Sequence, residues 1–122
     1  MNDTPVTYVG LGDGQLSMDD GFASQVGVIE GTRMRPLPLD NPAGRPLGWG
    51  HWGPGPLHLA ESILLHRLGF SPPGVVALTF SEDVVSELPD QFELDAEEVD
   101  RWISEYLLTG CLTHNLPAPV AV

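Results

Sequence analysis

The segment from Gly48 to Gly69, GWGHWGPGPLHLAESILLHRLG, constrains the fold more than any other part of the chain. Pro54 and Pro56 are compatible with the first turn of a helix, where a backbone N–H has no intrahelical partner. Apolar residues then recur at helical spacing around most of the circumference. The only polar strip is narrow and consists of His58, Ser62 and His66, with Glu61 to one side. The pattern predicts a buried core helix over Leu57–Leu68, ended by a left-handed cap at Gly69.

Upstream of this helix, the sequence predicts a small antiparallel sheet. Thr4–Val9 alternates β-branched and aromatic residues, and Gln15–Met18 and Ser24–Ile29 are two shorter strand candidates separated by Gly/Asp turns. The stretch from Thr32 to Gly53 has no usable period, and its four prolines exclude a helix interior or a central strand. We therefore expect an irregular connection there.

Downstream, two more helical segments are predicted. Val75–Phe80 is short, apolar and β-branched, which fits either a strand or a buried helix. Ser81 has the features of an N-cap for a short helix through Leu88. Asp95–Glu98 has the D-x-x-E form of a capping box, and the helix that it begins is closed by Gly110. The apolar face of that helix consists of Val99, Trp102, Ile103, Tyr106 and Leu107.

These elements predict a single α+β domain over residues 1–122, with a small N-terminal antiparallel sheet packed on two main helices plus a short helix. Leu64 and Trp102 should be buried, and the two main helices should touch. Residues 111–122 are expected to form an extended tail. Neither a membrane-spanning apolar run nor a signal peptide is recognisable, so we expect a soluble, cytoplasmic protein.

The charge balance bears directly on the class of partner. Seventeen carboxylates face five arginines, and the net charge is −12. Such a field repels nucleic acids and anionic membranes, so neither is an expected ligand, whereas a basic protein surface is favoured. Three of the five cations, Arg33, Arg35 and Arg45, lie in the proline-rich stretch. We expect some of them to pair with carboxylates of the acidic C-terminal half of the chain.

The carboxylates of this acidic half are concentrated between Glu82 and Glu105, where ten of them accompany one cation, Arg101. One interpretation is an ordinary solvated face. The sharper hypothesis is a phosphate-like array that binds a basic groove. The residues predicted to contact such a partner are Glu82, Asp83, Glu87, Glu97, Glu98, Asp100 and Glu105.

Other patterns point to chemistry more weakly. The glycines of residues 48–53 match G-x-G-x-x-G, but no strand precedes them, and a tight turn that packs both tryptophans on the core explains them better. Cys111 and His114 could form a thiol–imidazole pair, but no oxyanion donors are recognisable. No metal or other cofactor is predicted, because His58 and His66 are about 12 Å apart along a helix axis. The alternative ligand or enzyme site consists of Trp49, His51, Trp52 and His58.

Several of these segments together resemble a known family. The segments that show the resemblance are LPL at 37–39, NP at 41–42, GWGHWGPGPLHLA at 48–60, VVSELP at 84–89 and, more loosely, residues 92–102. They are similar to motifs of an uncharacterised family of small proteins from bacteria, plasmids and phages. The resemblance implies a shared α+β fold and transfers no catalytic residue, because the family has no assigned function.

The mobile-element distribution of that family favours a protein that modulates host machinery. The expected function is therefore that of a non-enzymatic binding protein of a phage or mobile element. It would inhibit a host nucleic-acid-binding defence complex, such as a CRISPR effector, through the acidic half. The alternatives are a small enzyme or ligand-binding domain that uses the Trp/His set, or an accessory subunit of a larger assembly.

Overall fold

The computed structural model describes residues 5–11, 16–17, 23–39 and 47–110. The strands are β1 Val6–Leu11, β2 Leu16–Ser17, β3 Ala23–Ser24, β4 Val26–Glu30, β5 Arg33–Pro36 and β6 Gln91–Asp95. The helices are α1 Pro54–Leu68, α2 Gly74–Asp83 and α3 Ala96–Glu105, with a 3-10 turn at Val85–Glu87 and a π turn at Tyr106–Gly110. The predicted tail, residues 111–122, and the pair Cys111 and His114 lie outside the described residues.

The main sheet has four antiparallel strands in the order β5–β4–β1–β6, and β2 and β3 form a separate two-stranded ribbon. Strands β4 and β1 are internal, and β1 places Val9 opposite Gly27 of β4 and opposite Glu93 of β6. The α+β prediction is confirmed. Two strands were not predicted: β5 lies in the proline-rich stretch, and β6 brings the C-terminal half of the chain into the sheet.

Strand β5 explains how prolines and a strand coexist. It is an edge strand and ends at Pro36, where the missing N–H costs no ladder bond in the sheet interior. Arg33 and Arg35 alternate on it and are exposed, and within the described residues neither forms an ion pair with the acidic half. Arg45 lies outside the described residues. Within the part of the chain that the structure describes, Arg67 of α1 forms an ion pair with Asp100 of the acidic half.

The three helices pack on the sheet face that carries Tyr8. This packing buries several large apolar side chains almost completely: Tyr8, Val26, Val28, Leu59, Ile63, Leu64, Phe80, Val85 and Val99. The predicted burial of Leu64 is confirmed, while Trp102 is half-buried and meets Phe80 edge-to-face at 5.0 Å. Helix α1 ends as predicted, with Gly69 at φ 87° and its N–H bonded to the carbonyl of Leu65.

The 75–80 segment is helical, which is one of the two structures that its sequence allows. Two local predictions beside it are wrong. Ser81 is not an N-cap but a buried residue near the end of α2, because the face that it forms with Ala77 and Phe80 packs into the core. Asp95 does precede α3, but it makes no side-chain cap bond. Its carboxylate instead accepts a hydrogen bond from the Thr7 hydroxyl at 3.1 Å, since the two residues are opposite each other in the β1–β6 ladder.

Candidate functional site

The acidic half of the chain forms its most distinctive surface. Of the ten carboxylate residues between Glu82 and Glu105, nine are exposed, and Asp100 is the exception. The strand β6 alternates strictly, so that Phe92 and Leu94 are buried while Glu93 and Asp95 face solvent. A strand with this period turns every second side chain to the same face of the sheet.

Helix α3 continues this surface without a linker. It begins immediately after Asp95, and its first turn buries Ala96 and Val99 and exposes Glu97 and Glu98. We call Glu93, Asp95, Glu97 and Glu98 the β6–α3 acidic band. Carboxylates at a helix N-terminus are stabilised by the partial positive charge of the backbone N–H groups there. Within the described residues, none of the four forms an ion pair.

Asp100 has a different role from the band. Arg67 of α1 donates two hydrogen bonds to it, from Nε to Oδ1 at 2.8 Å and from a terminal nitrogen to Oδ2 at 2.7 Å. These bonds lower the pKa of Asp100 and raise that of Arg67. A bidentate pair of this kind fixes orientation, so Asp100 ties α3 to α1.

The other predicted contact residues lie on separate elements. Glu82 and Asp83 end α2, Glu87 lies in the 3-10 turn, and Glu105 ends α3; all four are exposed. Asp83 is connected to α3 because its carboxylate accepts a hydrogen bond from Trp102 Nε1 at 2.9 Å. Sequence reasoning missed Glu93 and Asp95 as site residues, although the alternation of QFELD was the signal that could have found them.

The predicted Trp/His site is not a single site. Trp49 is buried, meets Phe92 edge-to-face at 5.1 Å and donates its indole N–H to the carbonyl of Asp90 at 3.0 Å. His58 is fully buried within α1. Trp52 is 69% exposed, and His51 beside it is also exposed, with 2.9 Å between His51 Nδ1 and the Trp52 carbonyl oxygen. The prediction that both tryptophans pack on the core holds for Trp49 and is wrong for Trp52.

His66, the other histidine of α1, belongs to a polar chain between the helix and the sheet. Its Nδ1 lies 2.8 Å from the hydroxyl of Tyr8, and its Nε2 lies 3.4 Å from a carboxylate oxygen of Glu30. Burial raises the pKa of Tyr8 to about 12, against the opposing field of Arg67. The described residues contain no cluster of three His, Cys, Asp or Glu placed to hold a metal ion.

Comparison with known proteins identifies the family. The model of a family of unknown function, DUF6166, matches residues 19–105. The chain belongs to the DUF6166 family. Comparison with curated proteins and with solved structures finds no match.

The matched region of this DUF6166 protein contains all three helices, the strands β4 and β5, and the whole acidic band. The internal strand β1 precedes that region, so part of the sheet that supports the band lies outside the family match. Among the described residues, no helix combines the length and the apolar character needed to cross a membrane.

Proposed function

We propose that this DUF6166 protein is a small binding protein whose β6–α3 acidic band binds a basic surface of a nucleic-acid-binding protein. The observation that carries the proposal is the exposure of Glu93, Asp95, Glu97 and Glu98 in one short run of chain, where none of them forms an ion pair with a described residue. The net charge of −12 supports it further, because a field of this sign attracts cationic surfaces and repels nucleic acids.

The chemistry of the band explains why a nucleic-acid-binding surface is the favoured class. Outward residues of a strand lie about 6.6 Å apart, so Glu93 and Asp95 present separate carboxylates rather than one chelating pair. Arginine and lysine that normally contact phosphate oxygens can donate the same charge-assisted hydrogen bonds to carboxylates. The protein would then occupy a groove that otherwise holds a phosphate backbone.

The most concrete form of the proposal is an inhibitor, encoded by a phage or mobile element, of a host defence complex that binds nucleic acid, such as a CRISPR effector. The resemblance to small proteins of plasmids and phages supports this context. We propose no reaction, since the residues of the Trp/His set lie in different environments: Trp49 and His58 are buried, whereas His51 and Trp52 are exposed.

The test begins with capture on the immobilised full-length protein from a nuclease-treated host lysate. Three forms are compared: wild type, the band reversal Glu97→Lys/Glu98→Lys, and the charge-matched control Asp19→Lys/Asp20→Lys, which lies outside the run from Glu82 to Glu105. Circular dichroism melts establish that each form is folded. We expect one partner to be retained by wild type and control, lost by the band reversal, and displaced by added nucleic acid.

The competing mode is an apolar contact through exposed Trp52. It predicts binding that changes little between low and high salt and that is abolished by Trp52→Ala, whereas the acidic-band mode predicts binding that weakens steeply with salt. A captured partner that resists salt and nucleic acid but is lost with Trp52→Ala would contradict the proposal.

A further inference from the structure

The sheet face turned away from the helices carries a hollow next to the acidic band. The register places two rows of residues across this outer face. One row is Glu93, Val9, Gly27 and Pro36, and the next is Asp95, Thr7, Ile29 and Met34. Each row therefore begins with a carboxylate of the acidic band on β6 and runs across three further strands.

The hollow has a volume of about 420 Å³, within the range of about 300–1,000 Å³ that is typical of ligand-binding clefts. Its apolar lining is supplied mainly by Val9, Leu11, Ile29 and Met34, and Glu93 stands at its polar side with Gln91. Val9 is nearly buried at the centre, while Leu11, Ile29 and Met34 are half-buried. The hollow thus combines an apolar floor with an anionic edge.

We infer that this hollow receives an apolar side chain from an extended segment of the basic partner, while lysine or arginine side chains next to it in that segment meet Glu93 and Asp95. The inference rests on the proposed function and specifies the kind of partner segment. Charge complementarity decides the occupant: a neutral apolar segment would leave Glu93 unpaired beside it, and an acidic one would be repelled.

An extended segment is favoured by spacing. Successive side chains of an extended chain point to opposite sides, and those on one side repeat at about 6.6 Å, the same repeat as the outward residues of β6. A segment that runs along β6 over the border between the acidic band and the hollow can therefore direct its cations to Glu93 and Asp95 on one side and its apolar side chains to the hollow on the other. The probe that follows from this geometry is the synthetic peptide KLKLKLK. Its charge-matched control, KSKSKSK, keeps the cations and removes the apolar side chains.

The experiment is a titration of the full-length, ¹⁵N-labelled protein with each peptide at low salt, followed by NMR. We expect KLKLKLK to bind at least about tenfold more tightly than KSKSKSK, because burial of one large apolar side chain contributes that much. The amide shift changes with KLKLKLK should include Val9, Ile29 and Met34 as well as Glu93.

Isosteric variants separate the apolar and the electrostatic contributions to peptide binding. Val9→Thr should weaken KLKLKLK binding and leave KSKSKSK unchanged, whereas Glu93→Gln should weaken both. Leu78→Gln, which alters an exposed apolar residue on a helix behind the sheet, is the control and should change neither. Thermal melts of each variant show whether the sheet is intact.

The outcomes distinguish this inference from the proposal on which it rests. Equal affinity for the two peptides, with shift changes confined to the acidic band, would overturn the role of the hollow and leave the acidic-band proposal standing. Absence of binding by both peptides would contradict both. Loss of KLKLKLK affinity with Leu78→Gln but not with Val9→Thr would place the apolar contact on the helices instead.

Discussion

Substitution of Gly10 by alanine tests the strand register that places the acidic band. Gly10 of β1 lies opposite Phe92 of β6, and the aromatic ring lies over the glycine. A Cβ atom at residue 10 would lie 2.2 Å from Cε2 of that ring and 2.7 Å from Cδ2, closer than atoms in proteins approach one another. The ring would have to move.

The surroundings of Phe92 oppose that movement. Its side chain is almost completely buried, it packs edge-to-face on Trp49 at 5.1 Å, and Trp49 is itself held by a hydrogen bond to the carbonyl of Asp90. Overpacking of a core destabilises a protein by about 1–3 kcal/mol. Replacement of glycine by alanine also lowers the conformational entropy of the unfolded chain, which stabilises the folded state by about 0.4–1 kcal/mol. We therefore expect Gly10→Ala to lower the free energy of unfolding by about 1–2 kcal/mol.

Urea unfolding followed by circular dichroism measures this loss. The matched control is Gly74→Ala at the start of α2, where the added Cβ meets no atom within 4 Å apart from its chain neighbours and the backbone of its own helix, so no loss is expected. In a Phe92→Leu background the cost of Gly10→Ala should shrink, because the clashing ring is gone. If Gly10→Ala is as stable as the control, Phe92 does not cover Gly10, and the outward placement of Glu93 and Asp95 is wrong.

Three further predictions concern stability. Leu64→Ala should cost about 2–5 kcal/mol in urea melts because the side chain is fully buried, and a loss below about 0.5 kcal/mol would place α1 outside the core. Burial raises the pKa of Tyr8 to about 12, so as the pH rises above about 10 this tyrosine ionises in the unfolded chain before it ionises in the folded protein. The contribution of Tyr8 to the free energy of unfolding is therefore complete below about pH 10 and is lost as the pH rises toward 12. Tyr8→Phe should make the melting temperature depend less on pH in that range, and an unchanged slope would contradict this. Asp100, whose pKa is lowered by Arg67, contributes stability above about pH 4 that is lost as the pH falls through its folded pKa. Asp100→Asn should lower the free energy of unfolding at neutral pH by about 1 kcal/mol or less, since the pair with Arg67 is partly exposed, and should reduce the loss of stability in acid. A variant whose melting temperature falls with acid as steeply as that of wild type would contradict this prediction.

The parts of the fold that depend on local signals could be predicted from the sequence. Helix α1 combines prolines in its first turn, a helical apolar period and a glycine at the left-handed cap, and each signal acts within a few residues. The family resemblance was likewise carried by short contiguous motifs, and the family match confirms it.

The parts of the fold that depend on contacts between residues far apart in the chain could not be predicted from the sequence. Strand β6 has only two apolar positions, Phe92 and Leu94, and its partner β1 lies eighty or more residues earlier, so nothing local indicated the pairing. Ser81 has the local features of an N-cap, but burial of the α2 face overrides them. Trp49 and Trp52 share one glycine-rich segment, yet only Trp49 reaches the core, and no periodic pattern separates them.

The ratio of dissociation constants between two charge variants tests the central claim most directly. For the captured partner, binding of Glu97→Lys/Glu98→Lys and of Asp19→Lys/Asp20→Lys is measured by calorimetry in the same low-salt buffer. Both variants change the net charge equally, so only the position of the change differs. If the β6–α3 acidic band is the contact, the first variant should bind at least about tenfold more weakly than the second. Equal dissociation constants for the two variants would contradict the account.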